Sequence, residues 1–257
     1  MSSGRTVWIT GAANGMGASH ARRFAAAGDS VGCIDVEAES LARVVAGIRV
    51  DGGTAEAAIA DVSAWESMQG AAADLRERLG PASVVVANAG VVPSGEHVAE
   101  LEPDAWRRVI EVNLTGAFLT AKAAIPQLRE AGGGSLVLIS SICGLTASAG
   151  FGAYNASKHG VIGLMRTLAH ELAADGITVN AVCPGWVRTR MLDASVEAAD
   201  TPEGDLAAFV AMNLIERLVE PEEVTDAVVW LASSGARMVT GTTLPVDGGL
   251  MEKRAWP

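Results

Sequence analysis

The sequence predicts an α/β fold: a doubly wound, seven-stranded parallel sheet of the Rossmann type, with helices on both faces, formed by residues 1–257 as one domain. Three observations carry that expectation. Short apolar runs alternate with longer amphipathic stretches along the whole chain, as βαβ units require. The runs are rich in Val and Ile and too short for helices. No repeat, low-complexity block or Pro/Ser linker divides the 257 residues, a length that buries a sizeable core without disulfides or metals.

Taken in order, the first strand is expected over Thr6–Thr10, followed by a glycine turn and a helix over Gly15–Gly28. A second strand, Val31–Asp35, leads to a helix over Ala38–Val50, and a third, Glu56–Ala60, to a helix over Ala64–Leu79. Ser83–Ala87 reads as the fourth strand, and Pro103–Ala131 as one long helix. Then come strand Ser135–Ser140, helix Gly152–Asp175, strand Thr178–Val182, helix Glu220–Ser233 and strand Thr243–Val246. Residues 188–218 break the pattern; a long insertion late in a compact α/β domain is either a substrate lid or a helical excursion on the surface.

Composition removes several classes of function. With 19 Lys+Arg against 30 Asp+Glu, the net charge of −11 argues against holding nucleic acid or an anionic membrane by charge. Cys33, Cys143 and Cys183 are odd in number and far apart, so neither a disulfide framework nor a metal site is expected, and reduced thiols in a cytoplasmic protein are. The N-terminal residues run straight into a strand pattern with no apolar export signal. Residues 131–157 carry no charge but are too rich in Gly, Ser and Thr to span a membrane.

Gly11-Ala12-Ala13-Asn14-Gly15-Met16-Gly17 joins the first strand to its helix. Glycines there permit a tight turn and let backbone N–H groups approach a pyrophosphate. The spacing is G-x-x-x-G-x-G, so the turn alone is also compatible with a plain connection. Asp35, 18 residues after Gly17, ends the second strand, where a carboxylate accepts hydrogen bonds from an adenosine ribose and repels a 2′-phosphate. Neither Val36 nor Glu37 supplies a cation beside it, so NAD is expected over NADP. Asp61-Val62 follows the third strand and Asn88-Ala89-Gly90 the fourth, at the sheet edge where such folds bind ligands; a turn or cap role is open for each.

Tyr154 is the single tyrosine, and Lys158 lies four residues on, hence on the same helical face. Bringing a phenol from about 10 to near 7 takes about 4 kcal/mol, part of which a neighbouring Lys cation supplies, and the phenol then works as a general acid/base. Ser141, thirteen residues upstream, ends the fifth strand with a hydroxyl able to bond a substrate oxygen, and Asn113 is a polar residue inside the long helix. Without further support, a Tyr-x-x-x-Lys pair also describes ordinary helix neighbours.

Taken together, the residues from Thr10 to Gly17, Asp61, Asn88 to Gly90, Asn113, Ser141, Tyr154 with Lys158, Pro184-Gly185 and Val246 to Gly249 resemble the short-chain dehydrogenase/reductase family in its compact form, over essentially the whole chain. The resemblance implies Tyr154 as acid/base, Lys158 lowering its pKa and holding the nicotinamide ribose, Ser141 positioning the carbonyl, and Asn113 holding a relay water. It implies a dinucleotide on Gly11, Asn14, Gly15, Met16, Gly17, Asp35, Val36, Asp61, Val62, Asn88, Ala89 and Gly90, with Pro184, Gly185, Val187 and Thr189 at the nicotinamide end. Carried over likewise, the substrate pocket comprises Val92, Ser141, Cys143, Leu145, Phe151, Trp186, Met191, Leu192 and Met212.

An apolar pocket of this kind suits a hydrophobic secondary alcohol or its ketone, alicyclic, terpenoid or steroid-like. The runner-up is a 3-oxoacyl thioester reductase, and a non-catalytic dinucleotide sensor is a third possibility. Relatives of this size are usually tetramers or dimers, so a homotetramer is expected, with the helices Pro103–Ala131 and Gly152–Asp175 at one interface.

Overall fold

The structure is a computed structural model that describes residues 4–92, 95–189, 192 and 202–253, without the side chains of 202–205. Strands β1 (Thr6–Thr10), β2 (Ser30–Asp35), β3 (Thr54–Ile59), β4 (Val84–Ala87), β5 (Gly134–Ile139), β6 (Ile177–Pro184) and β7 (Thr243–Val246) form one parallel sheet in the order β3-β2-β1-β4-β5-β6-β7. The expected doubly wound architecture is therefore present, with strand ends shifted by one or two residues at most of the seven strands.

The central strands β1 and β4 are buried at every position because helices cover both faces. In β1 the alternation sends Val7 and Ile9 to one face and Trp8 to the other. Helices α1 (Gly15–Ala26), α2 (Ala38–Val50) and α8 (Pro221–Leu231) cover the first face, packing Phe24, Leu41, Val45 and Val228 against Val31, Val86 and Val182. On the second face lie α3 (Trp65–Leu79), α4 (Pro103–Ile110), α5 (Gly116–Glu130) and α6 (Gly152–Leu172), where Leu75, Leu128, Met165 and Leu172 are fully buried on Val85, Leu136 and Leu138. Each such side chain contributes about 1.5–3 kcal/mol on burial. Truncating Leu128 to Ala is expected to cost about 2–5 kcal/mol. Strand β7 closes the sheet with Pro245, tolerated there because one edge of that strand is unpaired.

The single helix expected over Pro103–Ala131 is α4 and α5 joined by a π-helical turn, Glu111–Thr115. The reason is a side chain from that turn. Asn113, fully buried, accepts from Val91 N–H at 2.7 Å and donates to Val91 C=O at 2.9 Å, a polar graft between helix and β4 loop. In residues 188–218, the described part includes helix α7 (Pro202–Ala211).

The chain winds from β1 outward to β3, then returns to place β4 on the other side of β1. That reversal leaves a crevice beyond the carboxyl ends of β1 and β4, the place where open α/β sheets bind ligands.

Candidate active site

The loops after β1 and β4 are tied together at this crevice. Thr10 Oγ1 accepts from the N–H groups of Asn88 and Ala89, and Asn88 Nδ2 donates to Thr10 O at 2.9 Å and Gly11 O at 3.2 Å. Close approach dictates the glycines. A Cβ on Gly17 would sit 2.0 Å from Gly11 O, and one on Gly11, at φ +67°, would sit 2.8 Å from Ala89 Cα. Helix α1 therefore starts at the floor of the cleft, with its first N–H groups and the positive end of its dipole directed at it and no acidic residue in its first turn.

The cleft has a volume of about 540 Å³, and every residue expected from Gly11 to Gly90, namely Gly11, Asn14, Gly15, Met16, Gly17, Asp35, Val36, Asp61, Val62, Asn88, Ala89 and Gly90, lines it. Asp35 is fixed by two backbone donors, Ala13 N–H to Oδ2 at 2.9 Å and Glu37 N–H to Oδ1 at 3.0 Å. Glu37, noted in the sequence only as supplying no cation, also lines the cleft and accepts from Asn14 Nδ2 at 2.9 Å. Asp61 keeps part of its capacity for its own turn: Oδ1 accepts from the N–H and hydroxyl of Ser63, which hold its carboxyl below the usual range, helped by Arg108 nearby. Arg108, on the exposed side of α4, is a further lining residue that the strand-end motifs gave no signal for. The site fits a nicotinamide dinucleotide on these grounds: a glycine cradle a Cβ would fill, a helix start for phosphate, a ribose-facing carboxylate, and Asn88 Oδ1 buried with no partner.

A second cavity of about 130 Å³ lies alongside, sharing Met16 and Thr189 with the first. It holds Tyr154, Ser141, Val92, Cys143, Phe151, Trp186 and Leu192 of the expected residues, with Pro184, Gly185 and Val187. Leu145 is a correction: the 3₁₀ turn Ile142–Gly144 carries it away, and it packs on the core beneath α6. Met212 is another: α7 ends at Ala211, and the side chain is 45 % exposed outside the cavity, while Asn213 beside it is buried. Met191 lies outside the described residues. Phe209 of α7 was missed; its ring stacks on Trp186 with centroids 4.1 Å apart. Only its neighbourhood, a weakly periodic stretch, stood out in the sequence.

Tyr154 and Lys158 leave one face of α6 as their spacing requires. The Tyr154 hydroxyl lies close enough to Ser141 to feel it, and Ser141 Oγ accepts from Cys143 N–H at 3.1 Å. Burial pushes the phenol up to about 12, against the lowering effect of Ser141. Lys158 is buried, donates to Ile139 C=O at 2.9 Å, and is drawn down to about 8 by loss of solvation. Its Nζ stands 5.5 Å from the Tyr154 ring centre. Burial thus keeps the phenol protonated at neutral pH. Asn113 Nδ2 reaches Ser157 Oγ at 3.2 Å in addition to Val91, so both its amide hydrogens are committed to the chain. Ser140, also unremarked in the sequence, donates to Lys158 C=O at 2.9 Å and anchors that turn of α6 to the end of β5.

Comparison with known proteins adds the following. A family model described as enoyl-(acyl carrier protein) reductase matches residues 11–251. The cis-4-hydroxycyclohexanecarboxylate dehydrogenase of Sinomonas cyclohexanicum is 40% identical, the match covering 95% of this chain and 96% of that one. Cyclohexanol dehydrogenase of an Acinetobacter species is 36% identical over 95% and 94% of the two chains. Among solved structures, an actinorhodin polyketide ketoreductase variant with NADPH superposes with a TM-score of 0.92 at 37% identity, covering 97% and 98% of the chains.

Proposed function

The chain belongs to the short-chain dehydrogenase/reductase family of oxidoreductases, and we propose that it interconverts a hydrophobic secondary alcohol and its ketone, with NAD as the hydride carrier. The carrying observation is the meeting of Tyr154, Ser141 and Lys158 beside an apolar cavity that adjoins the glycine-turn cleft. Relatives named for cyclohexanol and a hydroxycyclohexane acid support an alicyclic substrate within the wider alicyclic, terpenoid and steroid-like class.

In this reading Tyr154 is the acid/base. During oxidation its oxygen takes the hydroxyl proton of the alcohol, and during reduction it returns that proton to the carbonyl oxygen. Ser141 donates to the same substrate oxygen and holds it beside the phenol. Lys158, fixed by Ile139 C=O, contributes positive charge next to the phenolate, and Asn113, Ser140 and Ser157 position its helix. When bound, the dinucleotide supplies the hydride acceptor or donor and, in its oxidised form, a second positive charge. Asp35 and Glu37 on the cleft wall favour a free ribose over a 2′-phosphate, which supports NAD. A homotetramer is supported by Trp106 and Phe118, large apolar side chains exposed on α4 and α5. Three free, buried cysteines suit the reducing cytoplasm.

Tyr154→Phe tests the assignment. Turnover of an alicyclic alcohol with NAD is expected to fall at least roughly 100-fold, while NADH binding followed by fluorescence persists. Unchanged turnover would remove Tyr154 from the chemistry. A second reading is reduction of the ketone of a 3-oxoacyl thioester, for which the family model's description supports only the acyl-carrier class of substrate; it would be favoured by consumption of NADH or NADPH with a 3-oxoacyl thioester and no rate with any alcohol.

A further inference from the structure

We infer that the substrate is an uncharged alcohol or ketone of a single ring, with the stacked Trp186–Phe209 pair setting the upper size limit. The inference rests on the oxidoreductase reading above and narrows it.

Volume comes first. The cavity beside Tyr154 measures about 130 Å³. An apolar protein cavity of about 150 Å³ takes a benzene molecule. One six-membered ring therefore fills the space between the described walls, and a bicyclic or four-ring skeleton has to reach beyond it or displace a wall. The space is further divided, because Met16 and Thr189 belong to the dinucleotide cleft as well.

The wall least able to yield is aromatic. Trp186 leaves the turn after β6 and Phe209 comes from α7, and their rings meet at 4.1 Å between centroids, tilted by 34°. Moving either ring gives up that contact and exposes both. Trp186 Nε1 is buried without a partner and carries no formal charge, so what the indole offers a substrate is ring surface and one neutral donor. A residue that sets size in this way is testable, because shortening Phe209 enlarges the cavity without touching Tyr154, Ser141 or Lys158.

Charge comes second. Among the described residues, the polar side chains that line the cavity beside Trp186 are the hydroxyls of Ser140, Ser141, Tyr154 and Thr189, and the rest are apolar. Lys158, the cation behind them, does not line the cavity and donates to Ile139 C=O. A substrate carboxylate would lose its hydration against carbon walls and gain no ion pair. The net charge of −11 opposes its approach from a distance.

Three probes decide the matter, each assayed with NAD: cyclohexanol, the fused two-ring alcohol decahydro-2-naphthol, and cis-4-hydroxycyclohexanecarboxylate. The expected kcat/KM is at least roughly 100-fold higher for cyclohexanol than for either of the others. Phe209→Ala is expected to raise the two-ring alcohol at least tenfold relative to cyclohexanol and to leave the carboxylate poor. Phe209→Leu, which keeps apolar packing, is expected to give an intermediate ratio and covers the case in which the Ala variant does not fold. A carboxylate turned over as well as cyclohexanol, or a two-ring alcohol indifferent to Phe209, would overturn the inference while leaving the oxidoreductase reading intact. No rate with any of the three, together with reduction of a 3-oxoacyl thioester, would overturn both.

Discussion

At Asp35, two backbone donors hold the carboxylate rigidly at the cleft wall, and Glu37 adds a second negative charge there. Unit charges about 4 Å apart repel by about 1 kcal/mol in water and more at a protein surface, so on the proposed reading the pair is expected to disfavour a 2′-phosphate by about one to two powers of ten. Asp35→Ser is accordingly expected to raise kcat/KM with NADP relative to NAD by at least about tenfold, measured as initial rates with each coenzyme. An unaltered ratio would mean that some other group selects the coenzyme. Asp35 was legible because its position depends only on a strand ending, and strand endings follow from short apolar runs. Tyr154 and Lys158 were legible because a helix fixes the i, i+4 relation. Phe209 and Ser140 were not. Phe209 faces the cavity through the path of a long insertion, and Ser140 matters through a bond to the main chain of Lys158, neither of which leaves a local pattern.

The π-helical turn belongs to the scale of elements. Alternation of apolar runs and amphipathic stretches located the seven strands and most helices. It showed one continuous helix where the chain makes two joined by Glu111–Thr115. Such a turn answers to a partner distant in sequence, here the main chain of Val91, 22 residues from Asn113. Removing the amide leaves Val91 N–H and C=O and Ser157 Oγ short of partners, at about 1–3 kcal/mol for each buried group left unmade. Asn113→Ala is therefore expected to lower Tm by several degrees. Amide hydrogen exchange should quicken at Val91 and around the turn, while the far side of the sheet, at α2 and β3, stays protected. A variant with the parent Tm and parent exchange at Val91 would show that the turn stands without its graft.

For the whole molecule, acid is the perturbation that reaches the core first. His20 lies inside the joint between α1 and α8, where its Nδ1 meets Thr225 Oγ1 at 2.7 Å, Ser19 and Glu222 complete the polar cluster, and Nε2 has no partner. Burial lowers its pKa from 6.5 to about 3. The unfolded chain thus binds a proton that the folded chain refuses. Stability is complete above pH 6.5 and declines as pH falls toward 3, at about 1.4 kcal/mol per unit. The carboxylates held low in the fold add their own losses only further down. Asp61 does so below its usual 3.8, and Glu223, drawn down to about 2 mainly by Arg217, does so below 4.5 and with little weight because that pair is open to solvent. Between pH 6.5 and about 5 the slope is therefore His20's. His20→Gln keeps a polar side chain at the joint and cannot take up a proton. Urea denaturation at a series of pH values is expected to give a falling unfolding free energy for the parent chain over that window and a flat one for the variant, whatever its absolute stability. Parallel slopes would place the acid-sensitive group elsewhere in the molecule.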